Sequence, residues 1–266
     1  RHTGLNRALA YTLDLLGGSS YIWTWKHNVL HHTYPNLAGL DADIAMAPLA
    51  RMAPQQRRNG AHRFQHLYMW GLYGFLAIKW HFIDDYQNLI TGRIGSQRYP
   101  RPRGWDLVGL LGGKAFFYLY VLVLPLLLHK VSAVLLCYFA ASFTLSVILA
   151  VTFQMAHCVS QAEFPEQPRA GEHMPMGWAE HQLHTTVDFA PRSRVLTWYL
   201  GGLNFQIEHH LFPKVCHVHY PALAPIVEGT CRDFGVPYRV NRTLGDALAS
   251  HLRWLRQMGA PPALTS

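Results

Sequence analysis

Two adjacent apolar runs constrain this chain more than any other feature. Residues 107–128 (LVGLLGGKAFFYLYVLVLPLLL) are apolar apart from Lys114, and residues 131–156 (VSAVLLCYFAASFTLSVILAVTFQMA) carry no charge. Each reaches the roughly 20 residues that a helix needs to cross a hydrocarbon core. Only His129 and Lys130 separate them, so they are expected to form a helical hairpin with a very short turn. Pro125 should kink its first arm, because proline removes a helical donor and crowds the preceding turn. Two weaker runs read as short spans or interfacial helices. Residues 8–25 contain Asp14 and a Gly17-Gly18-Ser19-Ser20 break, and residues 67–80 lie between His66 and His81.

Composition agrees with a membrane protein. Only 14% of residues are charged and 50% are apolar, whereas soluble domains are charged at roughly a quarter of positions. That balance excludes a disordered chain. Aromatic residues, 13% of the chain, suit a membrane–water boundary. The net charge of +8 is not carried by basic runs interleaved with aromatics, so nucleic acid is not an expected partner and an anionic bilayer face is. The cysteines (Cys137, Cys158, Cys216, Cys231) lack CxxC spacing and read as free thiols.

The arginines orient the hairpin. Arg51, Arg57, Arg58, Arg63, Arg93, Arg98, Arg101 and Arg103 precede it, and Arg169, Arg192 and Arg194 follow it. Both flanks are therefore expected in the cytoplasm, with the tight turn on the far side. From Pro221 onward the polarity is mixed at helical spacing, as in a soluble cap. The chain opens at Arg1-His2-Thr3, with neither an initiator methionine nor a signal peptide, and is expected to be a fragment of a longer sequence.

Histidine, at 17 residues, is the compositional outlier. Three groups stand out: His27-Asn28-Val29-Leu30-His31-His32, His157 at the end of the uncharged run, and Gln206-Ile207-Glu208-His209-His210. On a helix, positions four apart share a face, so His27 and His31 can meet one centre. His32 points about 100° away from His31, which suits two neighbouring metals better than one. The same holds for His209 and His210, with Gln206 on their face. Imidazole suits Fe, Zn, Cu and Ni. Asp41, Asp43, Asp188 and Glu208 are available to accept the second ring N–H of a ligand. His181 and His184 are further candidates three residues apart. Isolated histidines near a membrane edge are usually interfacial, and His62, His66, His81, His129, His173 and His251 read that way; His217 and His219 read as supporting or structural.

These segments resemble the membrane fatty acid desaturases. HNVLHHTYPN (27–36) is similar to that family's second histidine box, and NFQIEHHLFP (204–213) to its third box in the QxxHH form of front-end and related acyl desaturases. FQMAH, ending at His157, resembles the segment supplying one further ligand. WAEHQLHTTVDF (178–189) and CRDFGVPY (231–238) are similar to bacterial members. The resemblance covers nearly the whole chain, 1–266, as one desaturase-type domain. It implies an all-α fold: a polytopic membrane helical protein with a cytosolic helical cap holding a histidine-rich di-metal site. It implies two Fe ions and O2-dependent insertion of a double bond into an acyl chain. It also implies electrons from a separate donor such as ferredoxin or cytochrome b5, since no HPGG-type haem motif is visible. The implied ligands are His27, His31, His32, His157, His209 and His210. Gln206, in place of the usual first histidine of the third box, would bind weakly or through a water, and His181 is an additional candidate. The implied location is a bacterial inner membrane, with the metals on the cytoplasmic side.

One departure stands out. The family's first box, HxxxH, would lie upstream of Arg1, and His2 has no second histidine in reach, so this segment alone is expected to be incomplete as a catalyst. Trp23, Trp25, Tyr34 and Trp198 read either as tunnel-lining or as interfacial aromatics. The arginines at 51–63 and 93–103 read either as a phosphate head-group site or as the ordinary positive-inside signal. The acyl carrier, whether coenzyme A, carrier protein or lipid, stays open. Alternatives from other classes are a hydroxylase or ketolase on the same scaffold, a membrane metal transporter, and a membrane zinc hydrolase, although HExxH is absent.

Overall fold

The structure, a computed structural model, describes residues 3–168 and 174–261. His173 and Arg169 lie outside the described residues. The chain divides into two compact units, Arg1–Val29 with Trp70–Ala150, and Leu30–Met69 with Val151–Ser266. Both are mostly helical.

The first unit contains the hairpin. Trp105–Leu128 and Val131–His157 are the two described helices long and apolar enough to cross a membrane, with 24 and 27 residues. The second arm runs on into the other unit. His129 is extended and Lys130 follows it, so the turn is as short as the sequence implies. The helix changes form at Pro125. The turn before it, Leu119–Val123, is π-helical, because the proline cannot donate to the carbonyl four residues back. Apolar side chains along both arms are exposed, among them Leu127, Leu128, Leu136 and Phe139, a surface that lipid tolerates and water does not.

Neither weaker run becomes a regular α-helix. The chain at 8–25 breaks at Gly17, whose φ of 82° is left-handed and whose Cβ would meet the His81 ring at 2.6 Å. Residues 65–91 form a string of short helices: Gln65–Leu72, Tyr73–Phe75, Leu76–Lys79, Trp80–Asp84 and Asp85–Thr91. Lys114, the one cation in the first arm, is buried against Asp85, with Nζ 2.7 Å from Oδ2. It also donates to the carbonyls of Gly17 and Trp80 at 2.6 and 2.9 Å. A buried cation needs such a set of partners.

The second unit is organised by its C-terminal helix, Leu244–Gly259, which begins at a Thr243/Asp246 capping box. It buries Ala247, Ser250, His251, Trp254, Leu255 and Met258, the stripe expected of an amphipathic helix. Trp254 Nε1 donates to the Met52 carbonyl at 2.9 Å, and Gln65 Nε2 donates to that of Leu255 at 2.9 Å. Arg51 donates to the carbonyls of Met258 and Gln56, and Arg58 to that of Gly259. Those guanidiniums therefore brace loops. In the first unit Arg101 does likewise, donating to the Ile90 carbonyl at 2.8 Å. A head-group site at 51–63 or 93–103 would have to do without these three. A two-residue parallel pair, Asp188–Phe189 beside Val240–Asn241, ties the middle of the unit to its last third.

Three histidines expected at an interface are instead buried and bonded. His81 donates from Nε2 to the Leu16 carbonyl and accepts at Nδ1 from Tyr138. His62 closes the helix start at Asn59 and contacts the Pro48 carbonyl. His251 donates from Nδ1 to the Cys158 carbonyl at 2.6 Å, and burial pushes its pKa down to about 4. Because the folded form resists the proton that the unfolded chain accepts near pH 6.5, stability is full above that pH and falls as the pH drops toward 4. The drop of about 2.5 units corresponds to about 3 kcal/mol. Denaturant midpoints across this window should slope downward in the wild type and less steeply in His251→Gln. Equal slopes would contradict the assignment. His129 is exposed at the hairpin turn, as an interfacial residue would be.

Candidate metal centre

The second histidine box folds as a π-helix, Thr24–His31, rather than the α-helix its four-residue spacing suggests. π-helical turns gather at functional sites. His27 is in the first unit, where its ring stacks on Trp23 at 4.4 Å. His31 and His32 close the segment in the second unit.

Within the second unit, five histidines come together from three stretches of chain. One ring nitrogen from each of His31, His157 and His210 lies within 4.8 Å of the others. His31 Nε2 is 3.3 Å from His157 Nε2. The His32 ring stacks on His210 at 4.3 Å and meets His209 edge-on at 4.7 Å. Gln206 Nε2 lies 3.0 Å from His157 Nε2. His31, His32, His157, Gln206 and His210 are buried, and His209 is half-buried.

Supporting groups fix the direction in which these rings present their lone pairs. His31 Nδ1 faces Asp41 Oδ2 at 3.1 Å, so the ring hydrogen is on Nδ1 and Nε2 presents its lone pair toward the cluster. His210 Nδ1 donates to Gln182 Oε1 at 2.8 Å, with the same result. His210 Nε2 is then a buried acceptor with no hydrogen-bond partner, and so is Gln206 Oε1. Burial, reinforced by the surrounding His32, His157, His31 and His209, pushes the His210 pKa well below the ordinary imidazole range. A neutral imidazole with an orphaned inward lone pair is what a metal ligand requires. The donor set therefore fits a cation.

The helix carrying His209 and His210, Gln206–Leu211, is only six residues long and needs outside support. Asp188 Oδ1 accepts from the Ile207 amide at 2.9 Å. Tyr238 Oη lies 2.8 Å from Asp188 Oδ2 and 3.0 Å from Glu208 Oε1. Burial first, and then the neighbouring Glu208, push Asp188 upward, and burial does the same to Glu208. These two acids, expected to support imidazoles, instead lock the helix that bears them. Asp41 alone makes a close contact of the expected kind, and Asp43 stands 3.7 Å from His31 Nδ1.

His181 is not drawn into the group. Its Nε2 donates to the Pro35 carbonyl at 3.1 Å, which removes that lone pair. His184 contacts Glu163 at 2.9 Å, and His217 and His219 are exposed. Two supporting residues escaped the sequence reading. Gln182 orients His210. Asn36, left-handed at φ 58°, places Nδ2 within 3.1 Å of the carbonyls of His157, Glu163 and Thr185, while its amide donates to Asp41 Oδ2 at 2.9 Å. The Tyr34-Pro35-Asn36 run is a turn signal that could have drawn attention to it.

Residues 1–242 match the family model described as fatty acid desaturase. The chain belongs to the fatty acid desaturase family. It is 39% identical over 256 residues to the sn-1 linoleoyl-lipid 6-desaturase of Synechocystis sp., covering 96% of this chain and 71% of that one. It is 38% identical over 267 residues to the Arthrospira platensis protein of the same name, with 98% and 71% covered. With the acyl-lipid (8-3)-desaturase of Physcomitrium patens it shares 40% over 260 residues, with 96% and 54% covered. No solved structure matches. As a desaturase-family member the protein is an oxidoreductase of fatty acyl chains, and the transporter and hydrolase alternatives fall away.

Proposed function

We propose that this desaturase introduces a double bond into an acyl chain esterified in a membrane lipid, at a centre of two Fe ions. The carrying observation is the convergence of His31, His157 and His210, with two of the rings aligned by Asp41 and Gln182. The acyl-lipid names of the relatives support lipid as the carrier. We assign the metals to His27, His31, His32, His157, His209 and His210, with Gln206 acting through a water. His181 is left to its Pro35 contact. The two units act together as one desaturase-type domain, which spans a membrane through its hairpin and holds the metals in a cytosolic cap. The arginine distribution supports a cytoplasmic position for that face, and a bacterial inner membrane is the proposed location.

When bound, the iron centre supplies the oxidising chemistry. One O2, two electrons from a separate donor such as ferredoxin or cytochrome b5, and two protons take two hydrogens from adjacent methylenes and leave two waters. The protein residues hold the metal and keep water out. Asp41 and Gln182 fix the tautomers of His31 and His210, Asn36 pins the His157 carbonyl, and the Asp188–Tyr238–Glu208 link anchors the last ligand helix. Immobile ligands fix which carbon is presented, and positioning of this kind governs regioselectivity.

The test is product analysis with the chain in its natural flanking sequence, given linoleoyl-lipid, O2 and reduced donor. A lipid two hydrogens lighter with a new alkene is the expected result. A product with an added oxygen would move the protein to the hydroxylase alternative.

A further inference from the structure

Outside the histidine cluster, the second unit has an open groove of about 570 Å³ lined by Ala190, Arg192, Val195, Tyr199, Arg242 and Leu244, among others. The fold constructs it. The pairing of Asp188–Phe189 with Val240–Asn241 is parallel, so both strands leave at the same end. The Ala190 amide continues the pairing, donating to the Asn241 carbonyl at 2.9 Å. Arg192 and Arg242 follow directly, and both are exposed. Two helices then start side by side, Arg194–Tyr199 and Leu244–Gly259.

The short helix carries exposed apolar and aromatic side chains. Val195 is 77% exposed, Trp198 82% and Tyr199 58%. Arg194 adds a third cation beside them. Two side-chain oxygens at the rim, those of Ser193 and Thr243, are already engaged. Ser193 Oγ accepts from Leu196 N, and Thr243 Oγ1 from Asp246 N. The Asp246 carboxylate accepts from the Thr243 amide. Polar recognition in the groove is thus left to the Tyr199 hydroxyl and the guanidiniums, whose forked donors match a phosphate. Next to them is apolar wall, and Trp and Tyr prefer the boundary of a bilayer.

We propose that this groove binds an anionic phospholipid, with its phosphate between Arg192 and Arg242 and its glycerol and upper acyl region along Val195, Tyr199 and Leu244. Charge complementarity selects the lipid class: a zwitterionic choline head would bring a cation toward the arginines. The site is separate from the proposed metal ligands and does not depend on the desaturase reading.

The test uses the whole chain purified in non-ionic detergent and titrated with phosphatidylglycerol, with binding read by native mass spectrometry. Each arginine near a lipid surface contributes roughly a factor of five. The Arg192→Ala/Arg242→Ala variant should therefore bind phosphatidylglycerol roughly 25-fold more weakly, and Arg192→Lys/Arg242→Lys, which keeps the charge but loses the fork, should fall between it and the wild type. Phosphatidylcholine should bind the wild type and the double-alanine variant alike. Unchanged phosphatidylglycerol affinity in the double-alanine variant would overturn the proposal. Equal loss of both lipids in it would do the same, as would displacement of the lipid by millimolar inorganic phosphate.

Discussion

His210→Ala is expected to leave the enzyme without detectable desaturation and with sharply reduced iron per chain. The ring is fully buried, and its centroid lies within 5.6 Å of those of His31, His32, His157 and His209. Its Nε2 is a buried acceptor lone pair with no hydrogen-bond partner. Alanine removes that lone pair and leaves Gln182 Oε1 without its partner, a local penalty of about 1–3 kcal/mol. It also relieves crowding among imidazoles, so the apo fold should survive. Metal content by plasma mass spectrometry and thermal unfolding of the same preparation separate the two effects. His181→Gln is the control: its ring nitrogen donates to a carbonyl, so iron content and activity should stay near wild type. Full iron in His210→Ala would remove this residue from the ligand set.

Asp41→Asn should weaken metal binding by about 10–100-fold, the usual effect of removing a partner that orients a ligand. The carboxylate accepts from His31 Nδ1 and the Asn36 amide at Oδ2, and from the Asp43 amide at Oδ1. The amide isostere retains one acceptor oxygen. With that oxygen at the Oδ2 position the new NH2 meets the Asp43 amide, donor against donor; with the NH2 there instead, it opposes the Asn36 amide and faces the His31 ring, favouring the opposite tautomer with a hydrogen on Nε2. Competition with a chelator at fixed pH measures the loss, and Asp41→Asn should shift the midpoint by one to two decades. A wild-type midpoint would mean that Asp41 only braces the loop.

Much of this site is written locally. The histidine pairs declare themselves by adjacency and spacing, and the hairpin by its uninterrupted apolar length. Other parts are not local. Gln182 is an unremarked amide until the fold brings it to His210. Tyr238 acquires a role only because the parallel strand pair delivers it to Asp188 and Glu208. Those two acids were sensible candidates to support imidazoles, since carboxylates near histidines often do. Their partners turned out to be a helix amide and a phenol, a choice made by tertiary packing. The same limit applies to Arg51 and Arg58, whose charge suggested a head group and whose hydrogen bonds go to carbonyls of the last helix. The π-helical turn at the second box was also hidden, because four-residue spacing does not distinguish it from an α-helix.

The clasp between residues 51–65 and the helix Leu244–Gly259 has a consequence for the order of synthesis. His31 and His32 are made before Trp254, Leu255, Met258 and Gly259, yet the stretch just after them is braced by those residues. Domains generally mature as their residues become available. The stretch that follows the second box therefore gains these braces only once the helix Leu244–Gly259 has been made.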